Sequence, residues 1–327
     1  MLDGLLLFTG LVLLAGGAEA LVRGASRLAA SLGVTPLVIG LTVVGFGTSM
    51  PELVVSALAS LNGEPAIALG NVVGSNIANS GLILAIAALI LPMRCDMQLL
   101  RRDAPIMVAV TIATLGLSWS GRIARLDGLL MLAALAAFVW LTLRWARLEP
   151  AKIAAEFAAF ERDRGWLPED TVANRRRLRR ERLLHGAWIA LGVALLVGGG
   201  HLLVESATAL ARRFGISDAV IAATLVAVGT SLPELATSVV AALRREADIS
   251  VGNIIGSNIF NLLGVLGLAA VIRPVPVPAA VRDFDLLWMA AFAAATALIL
   301  RTGHKITRRE GAALLTAYAA FVFLLLR

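Results

Sequence analysis

Two apolar stretches of this chain carry the same polar residues in the same order, 182 positions apart. Shifted by that distance, residues 16–92 fall on residues 198–274 without a gap, and about 35 of the 77 positions are identical. Gly47-Thr48-Ser49-Met50-Pro51-Glu52-Leu53 falls on Gly229-Thr230-Ser231-Leu232-Pro233-Glu234-Leu235. Gly74-Ser75-Asn76-Ile77-Ala78-Asn79 falls on Gly256-Ser257-Asn258-Ile259-Phe260-Asn261. General hydrophobicity cannot produce matches that are so often Gly, Asn, Ser, Thr, Pro and Glu. The chain is therefore an internal duplication, and any fold for it must be built twice from one plan.

The material of that plan suits a membrane. Of the 327 residues 59% are hydrophobic and 16% charged, with a mean hydropathy of +0.86, whereas a soluble domain has about 45–50% apolar and about 25% charged residues. A soluble enzyme and a disordered chain are both excluded. A spanning helix needs about 20 apolar residues. Apolar runs fall at 2–30, 36–61, 66–92, 103–120, 127–146, 186–212, 218–243, 248–273, 284–301 and 310–326. The expected fold is an all-α membrane protein of ten transmembrane helices, five in each repeat. Five is odd, so the second half enters the membrane in the opposite orientation. Such inverted-topology repeats build secondary transporters, with sites near the midplane at the repeat interface.

The expected organisation is a five-helix repeat over 1–147, a basic loop over 148–185 and a second five-helix repeat over 186–327. The loop holds Arg175, Arg176, Arg177, Arg179, Arg180 and Arg182, which the positive-inside rule places in the cytoplasm, leaving both termini outside. Residues 5–15 look like the apolar core of a signal peptide and Ala18-Glu19-Ala20 like its cleavage site. The segment before them carries Asp3 and no basic residue, and the repeat needs this helix, so it reads as a retained first span. The single Cys95 excludes an internal disulfide framework and a multi-cysteine metal site. The +7 charge reflects topology. No basic stretch is interleaved with aromatics, so nucleic acid is not an expected partner. Membrane lipid is, and no obligatory protein partner is evident.

The polar residues at membrane depth carry the chemistry. Glu52 and Glu234 lie mid-span, with no Lys or Arg in their spans to pair with; a charge at that depth marks a functional site by default. Thr48 shares a helix face with Glu52, and Ser49 adds a hydroxyl. Pro51 lacks an amide hydrogen and should kink the span, freeing carbonyls one turn earlier, around Gly45. Thr230, Ser231, Pro233 and Glu234 repeat this set, with Ala227 opposite Gly45. The third span offers Ser75 and Asn79, and the eighth Ser257 and Asn261. All these donors are oxygen, which suits a hard cation such as Ca²⁺ and argues against Zn, Cu and Ni. Two carboxylates balance one divalent cation or two Na⁺. Gly70, Gly74, Gly252 and Gly256 suit close helix packing. Asn71, Asn76, Asn253 and Asn258 fit either interhelical hydrogen bonds or an outer shell. Glu19 and Arg23, four apart, fit local pairing or a part in gating; His201 and Glu205 are their repeat equivalents.

The two segments Gly45 to Asn79 and Ala227 to Asn261 resemble the α-repeats of sodium/calcium exchangers, in the calcium/cation antiporter superfamily. The resemblance covers nearly the whole chain, and the short central loop looks prokaryotic, which implies the inner membrane. It implies a cluster of cation sites in which Ca²⁺ and Na⁺ are bound as transported substrates, with no cofactor. Glu52 and Glu234 would be the central carboxylates, and Thr48, Ser49, Thr230 and Ser231 ligands through side chain or carbonyl. Ser75 and Ser257 would serve Na⁺ sites, Asn79 the central layer, and Gly45 and Ala227 would give backbone oxygens. The first and sixth spans would slide to switch access. Some members carry Asp where this chain has Asn261, so the cluster here has one acidic group fewer.

The expected function is therefore an antiporter exchanging Ca²⁺ for Na⁺ by alternating access. Ca²⁺/H⁺ exchange, with the glutamates carrying protons, and K⁺-dependent Na⁺/Ca²⁺ exchange are alternatives on the same fold. A cation channel would more often assemble its pore from several chains. An intramembrane enzyme is not supported, because no Lys or His stands in the motif spans to activate Ser49 or Ser231. No Walker sequence points to an ATP-driven pump.

Overall fold

The computed structural model describes residues 2–94, 97–146, 172–213, 229–303 and 305–325. Proline and glycine set where its helices start and turn. Helix α1 spans Leu2–Leu32, and Gly33, at φ 68°, turns the chain into α2, Pro36–Thr48, which meets α3, Met50–Leu61, at a 45° bend. Gly63, at φ 92°, leads into α4, Pro65–Ile90. Prolines at the first turns of α2, α3 and α4 occupy the one place in a helix where a missing amide hydrogen costs nothing. After them come α5 (Ala104–Ser118) and α6 (Arg125–Ala146).

The second half repeats these bounds. Helix α7 spans Val172–Arg213, so the helix that opens this half starts inside the basic stretch. It is followed by α8 (Leu232–Leu243), α9 (Ala247–Ile272), α10 (Leu286–Gly303) and α11 (Arg308–Leu325). Helix α8 stands 182 residues after α3 at both ends. The correspondence reaches fine detail. The equivalent of Gly63 is Arg245, held at φ 61°, the one non-glycine residue at positive φ among the described residues. The turn is kept although a side chain there is strained. Single π turns begin at Asn79 within α4 and at Asn261 within α9. Two more, Leu99–Asp103 and Val281–Asp285, precede α5 and α10.

Among the described residues six helices are long and apolar enough to cross a membrane: Leu5–Leu32, Pro65–Ile90, Arg125–Ala146, Arg180–Leu210, Ala247–Ile272 and Val281–Thr302; the bent pair α2–α3 makes a seventh. The remaining expected runs are helical over shorter or more charged stretches. Helix α5 has 15 residues, α11 starts with Arg308, Arg309 and Glu310, and the run before α8 lies largely outside the described residues.

Among the described residues four two-residue strands tie the halves together. Strand β1 (Met93–Arg94) pairs antiparallel with β4 (Lys305–Ile306), and β2 (Arg122–Ile123) with β3 (Val275–Pro276). The two pairings are equivalent once the repeat shifts by one residue, for Met93 stands 182 positions before Val275 whereas Ile123 stands 183 before Ile306, as Gly128 does before Gly311. Helices α4 and α9 form the centre of the larger core; every residue of α9 from Ile249 to Phe260 is buried. Helices α1 and α7 belong to a second cluster beside it. They run antiparallel in backbone contact, Gly10 against Gly199, Gly17 against Gly192 and Gly24 against His185 and Ile189.

Candidate cation site

The bend in the second span is where sequence chemistry becomes a site. Pro51 cannot bond to the turn before it, the chain bends between Thr48 and Met50, and Glu52 falls in the first turn of α3. Pro233 places Glu234 identically in α8. Both glutamates are fully buried. No basic side chain lies within ion-pairing distance of either among the described residues.

What holds them is a reciprocal clasp between the halves. Ser49 Oγ donates to Glu234 Oε1 at 3.0 Å, and Ser231 Oγ donates to Glu52 Oε1 at 3.2 Å. Each carboxylate is thus met by the serine three residues before the other. Ser75 Oγ adds a longer bond to Glu52 Oε1 at 3.4 Å. Thr48 Oγ1 lies 3.0 Å from Asn253 Oδ1 and 3.3 Å from Ser257 Oγ. The Gly45 carbonyl stands at the same point, where it accepts from Ser257 Oγ at 3.3 Å and from the Ser49 amide at 3.2 Å. Thr230 reaches Asn71 Oδ1 at 3.3 Å.

Asn79 donates from Nδ2 to Asn258 Oδ1 at 3.1 Å; the equivalent contact, Asn261 to Asn76, is not made. Glu52 Oε2, Glu234 Oε2, Asn79 Oδ1 and both amide atoms of Asn76 and of Asn261 are buried with no partner. Folded interiors satisfy nearly all such groups. Here the orphaned atoms are mainly oxygens beside two unpaired carboxylates, the donor set that a hard cation takes at about 2.3–2.6 Å. Hydrogen bonds among the described residues thus join ten of the twelve expected positions at the interface of the halves, and Asn261, the eleventh, is buried without a partner. Ala227, the twelfth, lies outside the described residues.

Three features complete the site. Asn71 Nδ2 donates to Ser56 Oγ at 3.0 Å and to the Glu52 carbonyl at 3.2 Å, and Asn253 Nδ2 donates to Ser238 Oγ at 3.2 Å. These asparagines are interhelical bridges, and Ser56 and Ser238 are their partners. The signal for the serines was present: both stand four residues after a glutamate, and each is the other's repeat equivalent. Second, the glycines set the spacing, for Gly252 and Gly256 of α9 lie against the backbone of α2 at Leu37 and Leu41. Gly70 and Gly74 have no such neighbour among the described residues, and the equivalents of Leu37 and Leu41 fall outside them. Third, Glu19 pairs both with Arg23 and with Arg244 at the end of α8. Local pairing alone does not describe it, because one contact joins α1 to the other half. His201 and Glu205 are 3.8 Å apart and exposed.

An all-helical, membrane-type fold with an oxygen-lined, doubly acidic site between duplicated halves is that of an ion transporter. Residues 3–144 and 184–327 match the family model described as sodium/calcium exchanger protein, and the chain belongs to that family. Among its relatives, the sodium/calcium exchanger MaX1 of Methanosarcina acetivorans is 36% identical over 98% of this chain and 97% of its own. The inner membrane protein YrbG of Escherichia coli is 41% identical over 82% of this chain and 79% of its own. The solved structure of the sodium-calcium exchanger NCX_Mj soaked with zero Na⁺ and Ca²⁺ superposes with a TM-score of 0.83 at 27% identity, covering 99% of both chains. The homologues are transporters, not enzymes.

Proposed function

We propose that this chain is a secondary active antiporter that exchanges Ca²⁺ for Na⁺ by alternating access. The observation that carries the proposal is the reciprocal clasp, Ser49 on Glu234 and Ser231 on Glu52. Two buried carboxylates without basic partners are costly as they stand. One Ca²⁺, or two Na⁺, would neutralise them, so the ions would compete for one set of charges. Glu52 and Glu234 are the central ligands in this reading. Thr48, Ser49, Thr230, Ser231, Ser75, Ser257, Asn79 and Asn261 supply side-chain oxygens, and Gly45 and Ala227 carbonyls.

The architecture in this reading is ten spans as two inverted five-helix repeats, 1–147 and 186–327, joined by a cytoplasmic segment over 148–185. The antiparallel run of α1 against α7, its repeat equivalent, supports the inversion. A pseudo-two-fold molecule has two equivalent arrangements, one open to each side, and ions shift their balance only by binding them differently. The protein sits in a prokaryotic inner membrane with both termini outside, surrounded by lipid and needing no protein partner.

The test is ⁴⁵Ca²⁺ uptake into liposomes holding the purified protein, loaded with Na⁺, with K⁺, or with a pH gradient alone. Uptake that requires internal Na⁺ is the expected result. Equal uptake on a pH gradient without Na⁺ would replace the proposal with Ca²⁺/H⁺ exchange.

A further inference from the structure

Away from the ion site, an apolar groove of about 410 Å³ lies where the start of α5 meets the end of α10, within the volume range of small-molecule sites. Leu100, Val108, Ile112, Ala297 and Leu298 line it, and Arg301 stands at its rim. Arg101 adjoins Leu100, and Lys305 follows the end of α10. All three basic side chains are exposed, and none has a hydrogen-bond or ion-pair partner among the described residues.

The duplication supplies an internal comparison. The equivalents of Arg101 and Arg301 at the opposite end of the α5–α10 pair are Asp283 and Trp119. There Arg282 is bound by Asp283 at 2.6 and 2.9 Å and lies over the Trp119 ring at 5.4 Å. At the groove end Arg102 is held in the same way by Asp103 at 2.8 and 3.2 Å and lies over the Trp145 ring at 4.7 Å, but Arg101 and Arg301 have no such partner among the described residues. A slot of aliphatic side chains ending in uncompensated guanidinium groups is complementary to one amphiphile, an acyl chain under an anionic phosphate. Basic pockets between membrane helices bind anionic headgroups in this way.

We propose that this groove is a binding site for one anionic phospholipid, its acyl chain along α5 and α10 and its phosphate on Arg301 and Arg101. The proposal rests on α5 and α10 crossing the membrane and is independent of which ions are exchanged. Failure of Na⁺-driven Ca²⁺ flux would leave the lipid count unchanged.

The full-length protein, stripped of lipid in detergent, would be titrated with dioleoyl-phosphatidylglycerol, with dioleoyl-phosphatidylcholine or with inorganic phosphate, and bound lipids counted by native mass spectrometry. The wild type should take up one phosphatidylglycerol ahead of any phosphatidylcholine. Arg101→Gln with Arg301→Gln should weaken that first binding about thirty-fold and leave phosphatidylcholine unaffected, and Ala297→Trp should block the groove to both lipids. Should Ala297→Trp fail to fold, the two surface arginine substitutions still decide. Equal uptake of the two lipids by the wild type, unchanged phosphatidylglycerol binding in the arginine double variant, or displacement of the lipid by equimolar phosphate would each overturn the proposal.

Discussion

Substituting Gly256 by alanine tests whether the spacing of two helices, rather than the ligands alone, makes the site. A Cβ at Gly256 would lie 2.8 Å from both the carbonyl carbon and the Cα of Leu41, where carbon atoms ordinarily stay about 3.5–4.0 Å apart. The obstacle is backbone, so no side-chain rotation relieves it, and α2 and α9 must part by about 1 Å. Overpacking of this kind costs about 1–3 kcal/mol of stability. The separation also stretches the bonds that join these helices, Thr48 to Asn253 at 3.0 Å and Ser257 to the Gly45 carbonyl at 3.3 Å. Losing two neutral hydrogen bonds, at about 0.5–1.5 kcal/mol each, weakens ion binding roughly ten-fold. The assay is Ca²⁺ titration by calorimetry, with thermal unfolding followed in parallel. Gly116→Ala is the control, since a Cβ there meets nothing within 4 Å. The reasoning is refuted if Gly256→Ala melts and binds Ca²⁺ as Gly116→Ala does.

Other expectations follow from individual contacts. Ser49→Ala and Ser231→Ala each remove a hydrogen bond to a charged group, about 1.5–3 kcal/mol. Because the serines clasp a shared pair of glutamates, the double variant should lose less Ca²⁺ affinity than the sum of the singles, which a double-mutant cycle on calorimetric constants measures. Asn261→Asp adds a third carboxylate where both amide atoms are unpartnered; Ca²⁺ affinity should rise at least several-fold, and unchanged affinity would place Asn261 outside the binding layer. Glu19→Gln breaks the half-exposed pairs to Arg23 and Arg244 and should cost no more than about 1 kcal/mol in thermal or denaturant unfolding.

The duplicated bounds of α3 and α8, the bend at Pro51 and the membrane-type apolar helices were legible because each is a local property: a spacing, a missing amide hydrogen or a composition. The clasp was not. Nothing in the sequence near Ser49 says that its hydroxyl serves Glu234 and not Glu52, because that contact joins residues 185 positions apart and depends on how the halves dock. Asn71 and Asn253 left two readings open for the same reason, and the structure gives each both contacts, a bridge to Ser56 or Ser238 through Nδ2 and a bond from Thr230 or Thr48 to Oδ1. Strands β1 to β4 are two residues long, too short for any alternation to appear. The π turns beginning at Asn79 and Asn261 add one residue to a helical turn and leave no periodic trace, although such turns often mark functional sites. The start of α7 inside the basic stretch was hidden by charge, which argues for exposure and not against helix.

The central claim is that Glu52 and Glu234 jointly hold one divalent cation for which Na⁺ competes. The most direct measurement is equilibrium Ca²⁺ binding to the purified protein across a Na⁺ series, with Glu52→Gln and Glu234→Gln alongside. The account predicts one Ca²⁺ per chain at the central site, an apparent affinity that falls with more than the first power of Na⁺ concentration, and loss of that binding in either variant. Undiminished Ca²⁺ binding in a folded Glu52→Gln or Glu234→Gln protein, or binding indifferent to Na⁺, would contradict it.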